Sequence, residues 1–360
     1  MASRASGEAP VRFGVIGVNH NHIYGMTDQL LEAGGELAVF FAAEPDLAAR
    51  FAERYPQGRQ ARSVAEILED QAIALVASAA IPDERAGLGI AAMRHGKDYL
   101  SDKPGFTTLD QLAEARQVQH ETARIYSICY SERLQNRATV RAGELVKAGA
   151  IGRPLQTVGL GPHRLSGNQP ERGVRRDPAA SRPAWFFQRA RYGGILNDIG
   201  SHQADQFLFF TGSTSAEVVA SQVANFAHSD FPEFEDFGDM VLRGDGGTGY
   251  VRVDWFTPDG LGTWGDGRLT ILGTDGYIEL RKYIDVAGRP GGDHLLLVDQ
   301  NETRYIDCRN VEMPFGRQLF DDVRNRTETA MPQAHAFLAS ELALRAQRQA
   351  RPVQTQAVAV

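Results

Sequence analysis

Short apolar runs alternate with helical patterns along the first third of the chain. The runs VRFGVIG, ELAVFFAA, IALVASAA and KDYLSDKP are separated by segments whose apolar residues follow a helical spacing. Strands that alternate with helices of about ten to fifteen residues are typical of βαβ units on a parallel sheet. We therefore predict a parallel-sheet domain over residues 11–130, preceded by a disordered tail at residues 1–10.

After Ile128 the strands follow one another more directly. Six apolar runs, from AEVVASQVANFA to HLLLVDQ, are separated by Gly-rich turns, and a strongly apolar helix, NDIGSHQADQFLFF, precedes them. Successive strands joined by short turns predict a mostly antiparallel sheet, and a helix packed on it gives an α+β layer. We assign residues 131–333 to this domain with a large open sheet, and residues 334–360 to a C-terminal helix and tail. The fold class is α/β overall.

Composition agrees with two ordinary globular domains. A chain of 360 residues exceeds the size at which single cores stop growing, and its 42% hydrophobic and 23% charged residues are average values. The net charge of -7 argues against a nucleic-acid surface and favours small neutral or weakly charged ligands. Two cysteines, Cys129 and Cys308, form neither a disulfide framework nor a metal-binding pair. With no signal-like or membrane-length apolar run, we expect a cytoplasmic protein.

The first apolar run ends in a loop with the layout of a dinucleotide-binding fingerprint. A Rossmann-type βαβ unit places a glycine-rich turn between its first strand and a helix N-terminus that faces the pyrophosphate. Only the first glycine of the fingerprint is present, as Gly17, because Asn19 and His22 stand where the second and third glycines belong. His20 and Asn21 complete this candidate cofactor loop. Taken alone, the loop is explained more simply by a plain strand-to-helix turn, which is the alternative interpretation.

An acid follows at the end of the second apolar run. Glu44 lies where a carboxylate accepts hydrogen bonds from the ribose hydroxyls and repels a 2′-phosphate. The sequence therefore predicts NAD(H) in preference to NADP(H). Alternatively, Glu44 is a surface acid ahead of a helix that begins at Pro45 and is capped by Asp46.

A lysine marks the end of the fourth apolar run. Lys103 comes immediately before Pro104, at the edge of the sheet where strand ends meet a ligand crevice. A lysine there can donate to a substrate hydroxyl or take part in proton transfer. The alternative is a solvated lysine in a Lys-Pro turn.

A second candidate group lies on the apolar helix. Asp198 and His202 are four residues apart and therefore share a helical face, with Asp205 one turn further along. A carboxylate that orients an imidazole makes a competent general base. A helix-terminal acid and a satisfied core histidine are the alternative interpretation. No third residue has metal-ligand spacing, so we predict no metal.

The loop between residues 163 and 191 is rich in arginine and suits a lid over the crevice. Its arginines can bind an anionic group, and a tryptophan can cover an apolar sugar face. We select His163, Arg164 and Trp185 as candidate substrate contacts. A solvated loop whose tryptophan anchors to the core is the alternative. The arginines concerned are Arg164, Arg172, Arg175, Arg176, Arg182 and Arg189.

Taken together, these segments resemble the glucose-fructose oxidoreductase, inositol dehydrogenase and MocA (Gfo/Idh/MocA) family, from Val11 to about Arg351. The resemblance rests on GVIGVNHNH, the acid at Glu44, the Ile81-Pro82 turn, DKP and, about 90 residues later, GGILNDIGSHQAD. It implies that Ile81, Pro82 and Lys103 line the cofactor site.

The resemblance also implies a reaction. His202 would remove a proton from a secondary hydroxyl, with Lys103 and Asp198 polarising and orienting it, while hydride passes to the nicotinamide. Family members commonly act on sugars, cyclitols and related alcohols, often as homodimers or homotetramers formed through the C-terminal sheet. We therefore expect an NAD(P)-dependent dehydrogenase acting on a carbohydrate-like small molecule, without nucleic-acid or membrane partners.

The chain departs from the family at several of these positions. Asp102 replaces the usual glutamate before Lys-Pro, and Arg85 stands where many members carry a histidine.

Two rival functions remain open. One is redox-neutral chemistry, in which a tightly held NAD assists epimerisation or glycoside cleavage; the other is a cofactor-sensing regulator of the same fold. Retention of Lys103, Asp198 and His202 together favours an enzyme.

Overall fold

A computed structural model describes residues 9–166 and 182–353, so the predicted tail at 1–10 falls mostly outside it. The predicted fold class is confirmed: the described residues form a six-stranded, parallel N-terminal sheet and a nine-stranded, mostly antiparallel C-terminal sheet. The chain divides into two compact units. The first holds the residues up to Asp102, Glu114–Ser127 and Pro314–Gln333, and the second holds Lys103–Ala113, Ile128–Met313 and the residues from Ala334 on.

The N-terminal sheet has the strand order β3-β2-β1-β4-β5-β6, and neighbouring strands from β3 to β5 run parallel. β4 and β5 are buried along their whole length, as expected of parallel strands covered on both faces. The strands are β1 (Arg12–Ile16), β2 (Glu36–Phe41), β3 (Arg59–Gln60), β4 (Leu75–Ser78), β5 (Asp98–Asp102) and β6 (Tyr126–Cys129). The helices between them are α1 (His22–Glu32), α2 (Pro45–Arg54), α3 (Val64–Glu69), α4 (Pro82–Arg94) and α5 (Leu109–Thr122).

One segment lies in a different unit from the one that the sequence predicts. The sequence pattern predicts that residues 314–333 belong to the second domain. In the structure, Pro314–Gln333 belong to the first unit and carry helix α11 (Phe315–Asn325). The physical reason is apolar packing against the first helix. A Cβ at Gly35 would lie 2.5 Å from the ring of Phe320, and one at Gly316 would lie 2.7 Å from the carbonyl oxygen of Gln29.

The C-terminal sheet has the order β14-β13-β12-β11-β7-β10-β9-β8-β15, in which β7–β10 and β8–β15 are the parallel pairs. Its strands are β7 (Pro154–Pro162), β8 (Ala216–Ala224), β9 (Phe237–Gly244), β10 (Thr248–Asp254), β11 (Arg268–Gly273), β12 (Gly276–Arg281), β13 (His294–Asp299), β14 (Thr303–Asp307) and β15 (Arg351–Pro352). The helices are α6 (Ser131–Leu134), α7 (Arg137–Lys147), α8 (Arg189–Tyr192), α9 (Ile195–Asp198), α10 (Gly200–Thr211) and α12 (Gln333–Gln349), with a 3-10 helix at Ala184–Phe187.

Helix α10 packs closely on the middle of this sheet. A Cβ at Gly159 of β7 would lie 2.3 Å from Oε1 of Gln203, and one at Gly249 of β10 would lie 2.8 Å from the ring of Phe207. Glycine on the strands therefore makes room for large side chains of the helix. Nearly all of α10 is buried, although it carries His202, Gln203, Asp205 and Gln206. Buried polar residues need partners, so this face of the sheet is where chemistry is expected.

Within residues 9–166 and 182–353, no helix combines the length and apolar character needed to cross a membrane.

Candidate active site

The loop after β1 begins with a glycine that no other residue can replace without strain. Gly17 has φ +78°, and a Cβ at this position would lie 2.5 Å from Cβ of Ala80. Its backbone N–H donates to the carbonyl of Phe41, and its carbonyl accepts from the N–H of Ala79. The turn is therefore held against the ends of both neighbouring strands, as the first glycine of a dinucleotide fingerprint requires.

Asn19 and Glu44 are joined directly. Nδ2 of Asn19 donates to Oε1 of Glu44 at 2.8 Å. Glu44 has extended backbone ahead of α2 and makes no side-chain cap, while Pro45 occupies the first turn of that helix. Asn19, which stands where the second fingerprint glycine belongs, therefore holds the acid that we expect to face the ribose.

His20 and His22 converge on a buried acid. Nδ1 of His20 lies 3.1 Å from Oδ2 of Asp102, and Nδ1 of His22 lies 2.9 Å from its Oδ1. Asp102 is fully buried, and Arg85, 1% exposed, places its guanidinium 3.1 Å from Oδ2. Burial opposes ionisation of this carboxyl, but the charges of His22 and Arg85 and the hydrogen bond from His20 outweigh it and hold its pKa well below the usual value.

The remaining candidate cofactor residues lie at helix N-termini of the same unit. Asn21 is exposed and directly precedes α1, while Ile81 directly precedes α4 and Pro82 is its first residue. The N–H of His20 donates to the carbonyl of Ala79, so the loop after β1 and the end of β4 are in contact.

The ammonium group of Lys103 is paired with a carboxylate of the apolar helix. Nζ of Lys103 donates to Oδ1 of Asp198 at 2.9 Å, and both residues are buried. The helix predicted over this segment is interrupted: Asp198 ends α9, Ile199 intervenes, and α10 begins at Gly200. The N–H of His202 donates to the carbonyl of Ile199, so the histidine lies in the first turn of α10.

A buried ion pair near His202 was missed by the sequence analysis. Oε2 of Glu132 accepts from Nζ of Lys282 at 2.6 Å and from Nε2 of Gln203 at 2.8 Å, whereas Oε1 has no hydrogen-bond partner among the described residues. Burial opposes ionisation of Glu132, but the charges of Lys282, His202 and His163 outweigh it and lower its pKa. Burial lowers the pKa of Lys282 despite its partner. A buried charged pair beside two histidines is typical of functional sites.

His163 follows β7 and is neutral near pH 7. Burial, reinforced by the positive charge of Lys103, lowers its pKa to about 4, against the opposing effect of the Glu132 charge. Its Nδ1 lies 3.1 Å from the carbonyl oxygen of Gly161, which can only accept, so Nδ1 carries the proton and Nε2 keeps a lone pair. The rings of Trp255 and Trp264 lie edge-on to the imidazole.

The other candidate substrate residues have different surroundings. Arg164 is buried, and its guanidinium donates to the backbone carbonyls of Pro258 and Leu261. Trp185 is half-buried in the 3-10 helix. Arg182 is stacked over the rings of Phe186 and Trp255. Three arginines of the proposed lid lie outside the described residues, namely Arg172, Arg175 and Arg176.

Asp205, one turn beyond His202, belongs to a structural network. Both of its oxygens accept from the guanidinium of Arg133 at 2.7 Å, and Nε2 of His335 lies 2.8 Å from Oδ1. Burial opposes its ionisation, but these partners, Arg133 above all, lower its pKa to about 2. Arg133 and His335 thus hold Asp205, whereas Asp198 accepts from Lys103.

Comparison with known proteins decides the family. The profile of the Gfo/Idh/MocA C-terminal domain matches residues 139–279. A crystal structure from Erwinia carotovora atroseptica SCRI1043, of a protein provisionally named an oxidoreductase, is 47% identical, covers 96% of this chain and 100% of its own, and has a TM-score of 0.89. The chain belongs to the Gfo/Idh/MocA family.

One further relative of this Gfo/Idh/MocA protein and two solved structures of similar fold are named as oxidoreductases. A 1,5-anhydro-D-fructose reductase of Ensifer adhaerens is 27% identical over 239 residues, which are 65% of either chain. A levoglucosan dehydrogenase in complex with NADH and levoglucosan shares the fold at 17% identity, with a TM-score of 0.75 over 94% of this chain and 98% of its own. A 3-ketoreductase from Actinomadura kijaniata in complex with NADP has a TM-score of 0.72 at 17% identity over 96% and 99% of the two chains.

Proposed function

We propose that this Gfo/Idh/MocA protein transfers hydride between a nicotinamide cofactor and a secondary hydroxyl or ketone of a sugar, cyclitol or related polyol. The observation that carries this proposal is the buried Lys103–Asp198 hydrogen bond of 2.9 Å. A buried lysine–carboxylate pair adds little to the stability of the fold, because the free energy lost when both charges leave water nearly cancels the attraction between them. The cost is explained if the ammonium acts on a substrate oxygen.

Each residue has a distinct role in this reaction. Lys103 donates to the reacting oxygen and stabilises the negative charge that develops on it as its proton leaves. Asp198 fixes the position of Nζ through the hydrogen bond between them. His202 is the general base that removes the hydroxyl proton during oxidation and returns it during reduction.

The substrate contacts come from residues around this group. Nε2 of neutral His163 accepts a hydrogen bond from a substrate hydroxyl, and Oε1 of Glu132 is a buried acceptor for a neighbouring hydroxyl. Trp185 covers an apolar face of the ring, while Arg164 positions the backbone at Pro258 and Leu261. Two acceptors for separate hydroxyl groups suit a polyol better than a simple alcohol.

The residues of the first unit fit a dinucleotide. The close approach of Gly17 to Ala80 leaves no room for a side chain in the turn, and Glu44 is held at the strand end where an acid binds ribose hydroxyls. We propose that Gly17, Asn19, His20, Asn21, His22, Glu44, Ile81, Pro82 and Lys103 bind the cofactor. When bound, the nicotinamide accepts or supplies the hydride. Glu44 favours NAD(H) over NADP(H), because its charge repels a 2′-phosphate.

We also propose that the protein assembles as a dimer or tetramer through the C-terminal sheet. Along β9, β11 and β12, buried residues alternate with outward ones, and the outward set includes large exposed apolar side chains. Apolar surface of this kind is typical of an interface between protein chains. The exposed residues on the strands are Val219, Val241, Leu272, Tyr277 and Tyr305.

A substrate panel tests the proposal. Sugars, sugar acids, cyclitols and glycosides are incubated with NAD or NADP, and reduced cofactor is followed at 340 nm, with the His202→Asn variant in parallel. We expect one polyol class to yield NADH and the variant to lose about 100-fold or more in kcat. Substrate turnover without net reduction of the cofactor would instead identify redox-neutral chemistry. No turnover of any class despite cofactor binding would support a sensor and contradict the proposal.

A further inference from the structure

A cavity lies on the face of the C-terminal sheet that is turned away from α10. Gly159 of β7 and Gly249 of β10 face α10, since a Cβ at either position would meet side chains of that helix. Side chains alternate between the two faces of a sheet, so Pro162 and Asp254, which pair at the ends of these strands, point to the opposite face. There they border a cavity of about 530 Å³, a volume within the usual range of small-molecule sites.

This cavity is separate from the candidate active site. His163 directly follows β7, and the charges of Lys103 and Glu132 act on its imidazole, which therefore belongs to the candidate active site. The N–H of His163 donates to the carbonyl of Asp254 at 2.7 Å, and the N–H of Thr257 donates to the carbonyl of His163 at 3.1 Å. One end of the sheet thus carries His163 towards the reaction, and Asp254 and Thr257 on the wall of the cavity.

Polar groups on the cavity wall lack hydrogen-bond partners. Thr257 is 8% exposed, and its hydroxyl has no partner among the described residues. Nε of Arg252 likewise has no hydrogen-bond partner within the described part of the chain, although it lies 3.2 Å from Oδ2 of Asp254. Because buried polar groups are normally hydrogen-bonded, this wall is suited to a ligand that supplies the missing partners.

The carboxylate of Asp254 is a desolvated acceptor in the same wall. The residue is 6% exposed, and its Oδ1 accepts from the N–H of Phe256 at 3.0 Å. Burial raises the pKa of this carboxyl, and the charge of Asp236 adds to the effect, against the hydrogen bond from Phe256 and the charge of Arg252. A ligand hydroxyl that donates to Oδ2 would replace hydrogen bonds that the carboxylate has lost from water.

The charges along the wall compensate each other. Asp254 faces Arg252, and Asp266 is paired with Arg268, whose Nη2 lies 2.6 Å from Oδ2 of the acid. An anionic ligand would be repelled by the two carboxylates, and a cationic ligand by the two guanidinium groups. The balance therefore favours a neutral ligand.

Exposed apolar side chains complete the cavity. Phe256 is 42% exposed and Val286 is 57% exposed, and both line it. The ring of a sugar or cyclitol has C–H groups on its faces and hydroxyl groups around its edge. Such a ring can pack on Phe256 while its hydroxyls reach the polar wall. A hydroxyl both donates and accepts, which suits a wall that holds an acceptor, a hydroxyl and a guanidinium donor.

A second copy of the chain fits the cavity less well. The exposed apolar residues that we propose for assembly lie on the strands, and none of them lines the cavity. Leu272 pairs with Tyr277 on one side and with Gln156, near the start of β7, on the other. The cavity borders Pro162 at the end of β7, about 20 Å further along the strand.

We propose that this cavity is a second binding site, which takes a neutral sugar or cyclitol apart from the candidate active site. Asp254 accepts from one hydroxyl, Arg252 and Thr257 hydrogen-bond others, and Phe256 packs on a face of the ring. The inference goes beyond the proposed function and does not depend on it, because binding at this site requires neither cofactor nor turnover.

Ligand-observed NMR in the absence of cofactor measures this binding. Methyl α-D-glucopyranoside and myo-inositol are the neutral probes, and D-glucuronate is the charged comparison. We expect a neutral probe to bind the unmodified protein with a Kd of about 1 mM, and glucuronate to bind at least about fivefold more weakly. Glucuronate that binds as tightly as the neutral probes would contradict the assigned ligand class.

Three substitutions in the wall locate the binding. Asp254→Asn and Thr257→Val keep the side-chain shape but remove the charge or the hydroxyl, and Phe256→Ala removes the ring. We expect each to raise the Kd of the neutral probe by about five- to tenfold. Glu279→Gln, at a half-buried acid of β12, and Phe226→Ala, at an exposed phenylalanine, lie outside the cavity and should leave the Kd unchanged.

The remaining outcomes would overturn the inference without touching the proposed function. These are the failure of every probe to bind at millimolar concentration, and binding that survives all three wall substitutions. Binding that Lys103→Met abolishes would belong to the candidate active site instead. Binding seen only in Val241→Lys/Tyr277→Lys would show that a second copy of the chain fills the cavity. Should the asparagine variant fail to fold, the other two wall variants decide.

Discussion

Nζ of Lys103 donates to Oδ1 of Asp198 at 2.9 Å, although 95 residues separate them in the chain. If the two side chains act as one unit on the reacting oxygen, removing either should remove most of the contribution of both. We expect Lys103→Met and Asp198→Asn each to lower kcat, the lysine variant by about 100-fold or more, and the double variant to be little worse than Lys103→Met. Steady-state kinetics of the four proteins measure this coupling. Lys147→Met, at an exposed lysine of α7, is the control. Additive losses would show that the pair does not work together.

The cofactor preference depends on Glu44. Replacing it with alanine removes both the acceptor for the ribose hydroxyls and the charge that repels a 2′-phosphate. We therefore expect Glu44→Ala to shift the ratio of the NADH and NADPH dissociation constants toward NADPH by about 10- to 100-fold, as measured by fluorescence titration. Asp46→Ala removes a nearby exposed acid and serves as the control. An unchanged ratio would contradict the assignment of Glu44 to the ribose.

The lowered pKa of His163 predicts a pH-dependent stability. The pKa is about 4 in the folded protein and 6.5 for an ordinary histidine, so between these values the unfolded chain binds more protons. Stability from this group is therefore present above pH 6.5 and is lost as the pH falls toward 4, by about 2 to 3 kcal/mol over the window. In urea unfolding at pH 5 and pH 7, His163→Asn should show a smaller loss of stability at pH 5. His120→Asn, at an exposed histidine, should not. Identical pH profiles for His163→Asn and the unmodified protein would exclude this explanation.

The buried Glu132–Lys282 pair predicts that a second substitution restores stability lost by the first. Both residues are buried and joined at 2.6 Å, so Glu132→Gln leaves the ammonium of Lys282 without its counter-charge. We expect this variant to lose about 3 to 5 kcal/mol of unfolding free energy, because a single buried charge is costly. The double variant Glu132→Gln/Lys282→Met should recover a large part of the loss in thermal unfolding. A double variant less stable than either single one would mean that the ion pair itself stabilises the fold.

The exposed face of the C-terminal sheet predicts an assembly that a charge disrupts. Val241 on β9 and Tyr277 on β12 are exposed apolar residues on strands in which alternate residues are buried. We expect Val241→Lys/Tyr277→Lys to convert a dimer or tetramer into monomers in light scattering. Val286→Lys, at an exposed apolar residue in a loop, should leave the mass unchanged. A monomeric unmodified protein would contradict the proposed assembly.

Local patterns in the sequence were sufficient to predict the fold class and the position of the first glycine in the loop after β1. Alternating strands and helices predicted the parallel sheet, and the apolar run before Gly17 placed the turn at its strand end. The positive φ and the contact with Ala80 explain why glycine is kept there. These features depend on neighbours in the chain, which is why a pattern can reveal them.

Contacts between distant segments could not be predicted in the same way. Glu132 and Lys282 are 150 residues apart, and nothing in either local pattern indicates that they meet. Lys282 does carry one weak signal, because it follows directly on the alternating strand β12. Asp102 was noted as a departure from the family pattern, but its contacts with His20, His22 and Arg85 depend on tertiary structure.

Because Pro314–Gln333 belong to the first unit, the chain cannot be cut at one point into its two units. A gene truncated after Ser127 would encode the N-terminal sheet without α11, and the ring of Phe320 would no longer cover Gly35. The first unit is thus not formed by one contiguous stretch of the chain. Recombination that exchanges the first unit between relatives must transfer two distant stretches of coding sequence together. The two units are therefore expected to be inherited together.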